Sequence, residues 1–326
     1  MLVDLRPDEL FQWRGLNPRP KDHDAYWERA LAELDTVQPE VELKPSAFTA
    51  SFADCFDLYF TGVRGARIHA KYVRPKKAGV PGKVPAVFFF HGYSSSAGDW
   101  TYYLPYAAEG IAVAALDVRG QGGLSEDTGN AVRGNTLQGQ FIRGLDDEPD
   151  NLLMRHIYLD TAQIVRIVAA FDEIDADRLG ATGGSQGGGL TIACAALEPR
   201  IKRAFASYPF LSDYKRVWDL DLAKNAYEEL RLYFRRFDPR HERDDETFTR
   251  LGYIDVQFLA PRIKADFIML TGLMDTVCPP SSQFAAYNKI TSPKKVYFYH
   301  DFGHENLPDS DDMLFAFMKE LNQKRS

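Results

Sequence analysis

Six strand-length apolar runs, at residues 84–90, 111–116, 178–182, 203–207, 267–270 and 295–299, constrain this chain more than any other feature. Helix-length segments such as 158–171 separate them. A strand that is apolar on both faces must be covered on both sides, and helices between successive strands supply that cover. The spacing therefore predicts a mostly parallel, doubly wound sheet of the α/β class. Upstream, DHDAYWERALAEL (residues 22–34) repeats Tyr26, Trp27, Ala30, Leu31 and Leu34 at three- and four-residue steps, an amphipathic helix with Asp22 as its expected cap. From Phe52 to Tyr72 the period drops to two, with Phe52, Phe56, Leu58 and Phe60 on one face and Ile68, Ala70 and Tyr72 returning. This is the pattern of an antiparallel hairpin turning at Gly62 and Gly65.

The 326 residues are 45% hydrophobic and 26% charged, enough apolar material for a large core and too much for a disordered chain. At roughly 150 residues per domain two units would fit, yet α/β architectures often exceed that length as one. One domain over residues 1–326 is expected, with insertions at about 121–151 and 212–250. Lys+Arg 39 against Asp+Glu 46 leaves a net charge of −7, and an acidic surface repels phosphate backbones, so nucleic acid is not an expected partner. No run approaches the roughly 18 apolar residues of a membrane span. The opening MLVDLRPDELFQWRG lacks the basic start and apolar stretch of a secretory signal. Cys55, Cys194 and Cys278 are odd in number and irregularly spaced, which fits neither a disulfide framework nor a CxxC metal site. A cytoplasmic location is expected.

Two stretches break the strand–helix rhythm. Residues 121–151 are rich in Gly, Asn and Asp, a long connection of the kind found at active sites or subunit contacts. Residues 212–250 carry a dense helical charge pattern, read as a solvated helical insertion, with a lid or assembly surface as the other reading.

The segment RLGATGGSQGGGLTIACAAL (residues 178–197) holds the strongest chemical signal. Gly183-Gly184-Ser185-Gln186-Gly187 is a G-x-S-x-G sequence between an apolar strand and an apolar helix, the setting that a nucleophile elbow requires. At such a turn the serine sits in a strained conformation, and side chains in place of Gly183 and Gly187 would collide with neighbouring backbone. The helix that follows offers unpaired amides and its positive dipole end. A phosphate-binding loop would need a G-K-[ST] ending, which is missing.

A serine hydroxyl needs a base oriented by an acid, and in α/β-hydrolases these follow it in the order Ser, Asp or Glu, His. His241, His300 and His304 lie downstream of Ser185. His241 falls in the charged insertion and His300 ends the strand KKVYFY. His304, in the loop DFGHEN beside Gly303, is the expected base. Asp275, in TGLMDTVCPP directly after the run DFIML, is preferred as the acid over Asp301, Asp255 and Asp213 because its carboxylate would leave the same sheet edge as Ser185. The oxyanion donors would be the amides of Gln186 and of Tyr93, the latter in FFFHGYSSS. His91 precedes the nucleophile and is expected to be structural. Tyr208, Pro209, Phe210 and Trp100 are candidate walls of an acyl pocket.

Together HGYSSSAGDW, DVRGQGG, GGSQGG, GLMDTVCPPS and GHE resemble the acetyl xylan esterase and cephalosporin C deacetylase family, carbohydrate esterase family seven. The likeness runs from about Phe56 to Glu305 and implies an α/β-hydrolase fold. It assigns Ser185, Asp275 and His304 as triad and the amides of Tyr93 and Gln186 as oxyanion hole. It also implies that Arg119 and Gln121 support the active-site loops, that Glu305 backs the base, and that the chain forms ring-shaped homohexamers. The expected activity is deacetylation of small acetylated saccharides such as xylo-oligosaccharides, with cephalosporin C as a further substrate and no metal or organic cofactor. Another short-chain carboxylesterase or a peptidase on the same fold is the alternative.

Overall fold

The computed structural model describes residues 3–76, 82–127 and 137–323. Part of the 121–151 insertion, residues 128–136, thus lies outside the described residues. Among the described residues nine strands form one sheet: β1 (Glu42–Pro45), β2 (Ala53–Thr61), β3 (Arg67–Pro75), β4 (Val84–Phe90), β5 (Ala112–Leu116), β6 (Ile174–Gly184), β7 (Ile201–Ser207), β8 (Asp266–Gly272) and β9 (Lys294–Tyr299). Their order is β1-β2-β3-β5-β4-β6-β7-β8-β9. The first three strands run antiparallel to their neighbours, and β5, β4, β6, β7, β8 and β9 are mutually parallel. This is the expected α/β fold.

Alternate residues of the central strands feed two cores. Phe88, Phe90, Ala114 and Leu116 face one side with the helices Leu153–Ala169 and Gln186–Leu197. Val87, Phe89, Val113 and Ala115 face the other, with Tyr106, Leu314 and Met318. The predicted N-terminal helix is His23–Asp35, and it buries Tyr26, Trp27, Ala30 and Leu34. Trp27 stacks on Tyr158 at 5.8 Å and donates its indole N–H to Tyr253 O at 3.0 Å, fastening this helix to Leu153–Ala169. Burial of side chains of this size contributes about 1.5–3 kcal/mol each.

Local details depart from the sequence reading. Asp22 makes no side-chain cap bond; its carboxylate accepts instead from the Tyr253 hydroxyl at 2.6 Å. Phe52 precedes β2 and is exposed, whereas Leu58 and Phe60 are buried as the alternation predicts. The helix placed at 158–171 begins at Leu153. The charged insertion is not simply solvated. Its helices Tyr214–Asp219, Glu228–Phe237 and Asp244–Leu251 bury Tyr214, Leu230, Tyr233, Phe234 and Phe248, and with the exception of the buried Glu229 their charged side chains reach towards solvent. His241 is exposed, but its ring stacks on Phe234 at 4.6 Å.

The order of strands reverses around β4, which lies between β5 and β6. In doubly wound sheets ligands bind at such a switch point, outside the carboxyl ends of the strands. Those ends carry His91 to Tyr93 after β4, Ser185 after β6, Tyr208 after β7, Asp275 after β8 and His304 after β9.

Candidate active site

Ser185 has φ 56° and ψ −120°, a conformation that L-residues rarely adopt, between the last residue of β6 and the first of the helix Gln186–Leu197. The turn closes tightly. A Cβ on Gly183 would stand 2.4 Å from Phe90 O, and one on Gly187 would stand 2.0 Å from the same oxygen. Ser185 N–H donates to Ser207 O at 3.0 Å, and Ser185 O accepts from Phe210 N at 3.0 Å and from Gly189 N at 3.1 Å. These bonds hold the strained turn and leave the hydroxyl at a cleft of about 660 Å³.

His304 lies with Nε2 2.9 Å from Ser185 Oγ and Nδ1 2.8 Å from Asp275 Oδ2. Asp275 is fully buried, and its other oxygen accepts from the amides of Val277 and Cys278, each at 2.8 Å. Those bonds aim the carboxylate, so Nδ1 carries the ring proton and Nε2 presents a lone pair to the hydroxyl. Serine, imidazole and carboxylate are thus aligned for proton transfer from Oγ. Tyr208 packs edge-on against the His304 ring at 4.7 Å. The sequence-predicted alternatives are elsewhere. Asp301 and His300 are exposed, and Asp213 and Asp255 together hold residues 13–17 through the Trp13 indole and the amides of Leu16 and Asn17. His91 uses both ring nitrogens, Nδ1 on Gly92 O at 2.7 Å and Nε2 on the Val118 amide at 2.9 Å, and burial lowers its pKa.

The Arg119-Gly120-Gln121 turn acquires a physical role. Gln121 and Gln186 exchange side-chain amide hydrogen bonds at 2.8 and 3.0 Å, and Gln121 Oε1 also accepts from Ser94 N at 2.9 Å. Gln121 thereby ties the loop that carries Tyr93 to the residue that follows Ser185. Arg119 is buried in a two-bond pair with Asp160, both at 2.6 Å, and fixes the turn to the helix Leu153–Ala169. Glu305 accepts from Gly303 N at 2.9 Å and braces the His304 loop from an exposed position.

The cleft walls differ in part from expectation. Tyr208 lines the cleft together with Phe89, Tyr102, Tyr103, Phe205 and Leu307. Trp100, Pro209 and Phe210 do not. Trp100 stacks on Phe48 at 6.2 Å beneath the Lys71 ammonium. Phe210 is fully buried against Tyr227 at 4.3 Å, and Pro209 is buried against Gly188 of the elbow helix. An aromatic next to the site in sequence was sent inward because the chain turns into the elbow packing directly after Tyr208.

Asp275, Cys278 and His304 each place a metal-type ligand atom within 4.8 Å of the others. The Asp275 and His304 atoms are engaged with each other and with Ser185, and burial, then the Asp275 charge, push the Cys278 thiol well up, away from the thiolate that binds metals. The trio is better suited to the hydrogen-bond chain than to a cation.

This arrangement recurs in known proteins. The family model described as acetyl xylan esterase (AXE1) matches residues 1–321. The chain belongs to the acetyl xylan esterase family. The crystal structure of acetyl xylan esterase 1 from Thermoanaerobacterium sp. is 60% identical and superposes with a TM-score of 0.94 over 98% of this chain and 99% of that one. The acetyl xylan esterase from Paenibacillus sp. R4 is 34% identical, with a TM-score of 0.90 over 97% and 99% of the two chains. The acetyl esterase Axe7A of Xylanibacter ruminicola is 30% identical over 290 residues, 85% of this chain. The chain spans only 61% of the length of that relative. Among the described residues, no helix of this family member is long and apolar enough to cross a membrane.

Proposed function

We propose that the protein is a serine esterase that removes acetyl groups from small acetylated saccharides, xylo-oligosaccharides among them, and from cephalosporin C. The observation that carries this reading is the continuous chain Ser185 Oγ, His304 Nε2 and Nδ1, Asp275 Oδ2, with steps of 2.9 and 2.8 Å, at the cleft. The names of the acetyl xylan esterases that the chain resembles support the substrate class.

Ser185 Oγ attacks the acetyl carbonyl as His304 Nε2 takes its proton. Asp275 holds the tautomer and stabilises the imidazolium. The carbonyl oxygen becomes an oxyanion that accepts from the amides of Tyr93 and Gln186; Gln186 is the first residue of the elbow helix, whose positive end also favours the charge. Collapse breaks the bond to the saccharide oxygen, which leaves with the proton from His304. Water then attacks the acetyl-serine, giving its proton to His304, and acetate departs as Ser185 regains a proton. Arg119, Gln121, Glu305, Gly183 and Gly187 maintain the site, and Tyr208 forms the wall over the imidazole.

The whole chain acts as one domain in this reading, assembled as a homohexamer on the strength of the family resemblance. A cytoplasmic location is supported by Cys55, Cys194 and Cys278, all buried and free.

Initial rates on p-nitrophenyl acetate, butyrate and octanoate, beside acetate release from an acetylated xylo-oligosaccharide, test the substrate class. Acetate-selective turnover with release from the oligosaccharide is expected. Preference for octanoate, or cleavage of a peptide substrate in place of the ester, would replace this reading with another acyl hydrolase.

A further inference from the structure

The charged helix Glu228–Phe237 sends one carboxylate inward. Glu229 is 3% exposed, although Glu228 beside it and Arg231 two residues on keep their charges at the surface. Its Oε1 accepts from the Tyr93 hydroxyl and from Gln140 N at 2.8 Å; its Oε2 accepts from Phe141 N at 3.0 Å and Ile142 N at 3.3 Å. Among the described residues it has no cationic partner, so four neutral donors hold a carboxylate that burial would otherwise exclude.

The same Tyr93 supplies an oxyanion amide in the mechanism above. Its neighbour Ser94 is held through N–H by Gln121 and has φ 59°. Its ring packs edge-on against Phe210 at 6.0 Å, and Phe210 N in turn donates to Ser185 O. The backbone of this loop is therefore fixed on the Gln121 side, and the far end of the Tyr93 ring is fixed by Glu229. A ring held at its tip cannot change rotamer without moving its own backbone.

We propose that Glu229 is a positioning residue for oxyanion stabilisation: through the Tyr93 hydroxyl it sets the place of the Tyr93 backbone N–H, making the 212–250 insertion part of the catalytic machinery. The proposal rests on the esterase reading of the site. Misplacing one of two oxyanion donors lowers kcat and leaves ground-state binding nearly intact, because the donor meets full charge only in the transition state.

The experiment uses the full chain as wild type, Glu229→Gln, Tyr93→Phe and the double variant. Tyr93→Phe retains the backbone amide and removes only the hydroxyl, so it tests the same link if Glu229→Gln does not fold. Each single variant is expected to lower kcat on p-nitrophenyl acetate about tenfold with KM within about twofold. The affinity for a trifluoromethyl ketone, which forms a tetrahedral oxyanion on Ser185, should weaken by a matching factor. The double variant should be no slower than the slower single one. Folded variants with kcat within about twofold of wild type, losses that multiply in the double variant, or ketone affinity that does not follow kcat would overturn the proposal. Phosphonylation of Ser185 by a small fluorophosphonate separates the two readings. If wild type is labelled but does not cleave acetyl esters, the substrate reading fails, and slower labelling of Glu229→Gln and Tyr93→Phe still decides for Glu229. If wild type is not labelled at Ser185, both readings fall.

Discussion

Gln121 and Gln186 form a closed pair of side-chain amides, each donating to the other at 2.8 and 3.0 Å, with both residues fully buried. Because Gln121 Oε1 also takes the Ser94 amide, one side chain joins the two segments that carry the oxyanion donors. Gln121→Leu removes that join and leaves the Gln186 amide without its partner in a dry site. A loss of about 1–3 kcal/mol in urea unfolding is expected, together with a kcat reduced about tenfold at nearly constant KM. Wild-type values on both measurements would contradict the role given to the R-G-Q turn.

The strain at Ser185 should be visible as stability. At φ 56° and ψ −120° a Cβ is unfavourable, and glycine alone removes it. Ser185→Gly and Ser185→Ala should both be inactive, but the glycine variant should be the more stable by about 1 kcal/mol, despite its freer unfolded chain. Chemical denaturation of the two variants side by side is the measurement; a more stable alanine variant would mean that the turn stores no strain.

Arg119 and Asp160 are both about 1% exposed, so neither charge has water to fall back on. Arg119→Leu strands the carboxylate and should cost about 3–5 kcal/mol. Adding Asp160→Leu should return much of that loss, since an apolar pair of similar volume can replace a buried ion pair. Urea unfolding of the single and double variants reads this directly, and equal losses in both would contradict it.

Burial, and then Arg119, Arg64 and Arg155, hold the His156 pKa down to about 3, against an ordinary value of 6.5. Above pH 6.5 the imidazole is neutral whether folded or unfolded. Below it the unfolded chain takes up a proton that the folded site refuses, so this contribution to stability is lost progressively as pH falls towards about 3. At pH 5 the loss is about 2 kcal/mol. His23, lowered to about 4 mainly by burial, acts with the same sign. His156→Gln should therefore lose about 2 kcal/mol less than wild type between pH 7 and pH 5 in urea unfolding; an identical fall would show that His156 is not held neutral.

The parallel sheet was legible because its strands are apolar on both faces and its helices are long. The edge strand Glu42–Pro45 was not, being four mostly exposed residues that pair with β2 without an apolar pattern. The first turn of the helix Leu153–Ala169 was not legible because the polar Arg155 and His156 interrupt its apolar pattern; Arg155 is nevertheless buried, pairing with Glu33 at 2.7 Å and lying over the Tyr26 ring. At the site, motif order placed Ser185, Asp275 and His304 on one sheet edge because strand ends determine position there. Trp100 and Phe210 misled because proximity in sequence says nothing of which way a ring turns. Glu229 stayed invisible inside a run of charges, since its partners, Tyr93 and residues 140–142, lie far away in sequence and meet it only in the fold.

The central claim is that Ser185 carries the acetyl group during turnover. Acetate release from an acetylated xylo-oligosaccharide by purified wild type and by Ser185→Ala, with the fold of the variant verified, tests it most directly. Release that falls by at least about 10³-fold in the variant is the predicted result; a Ser185→Ala protein that releases acetate at the wild-type rate would contradict the account.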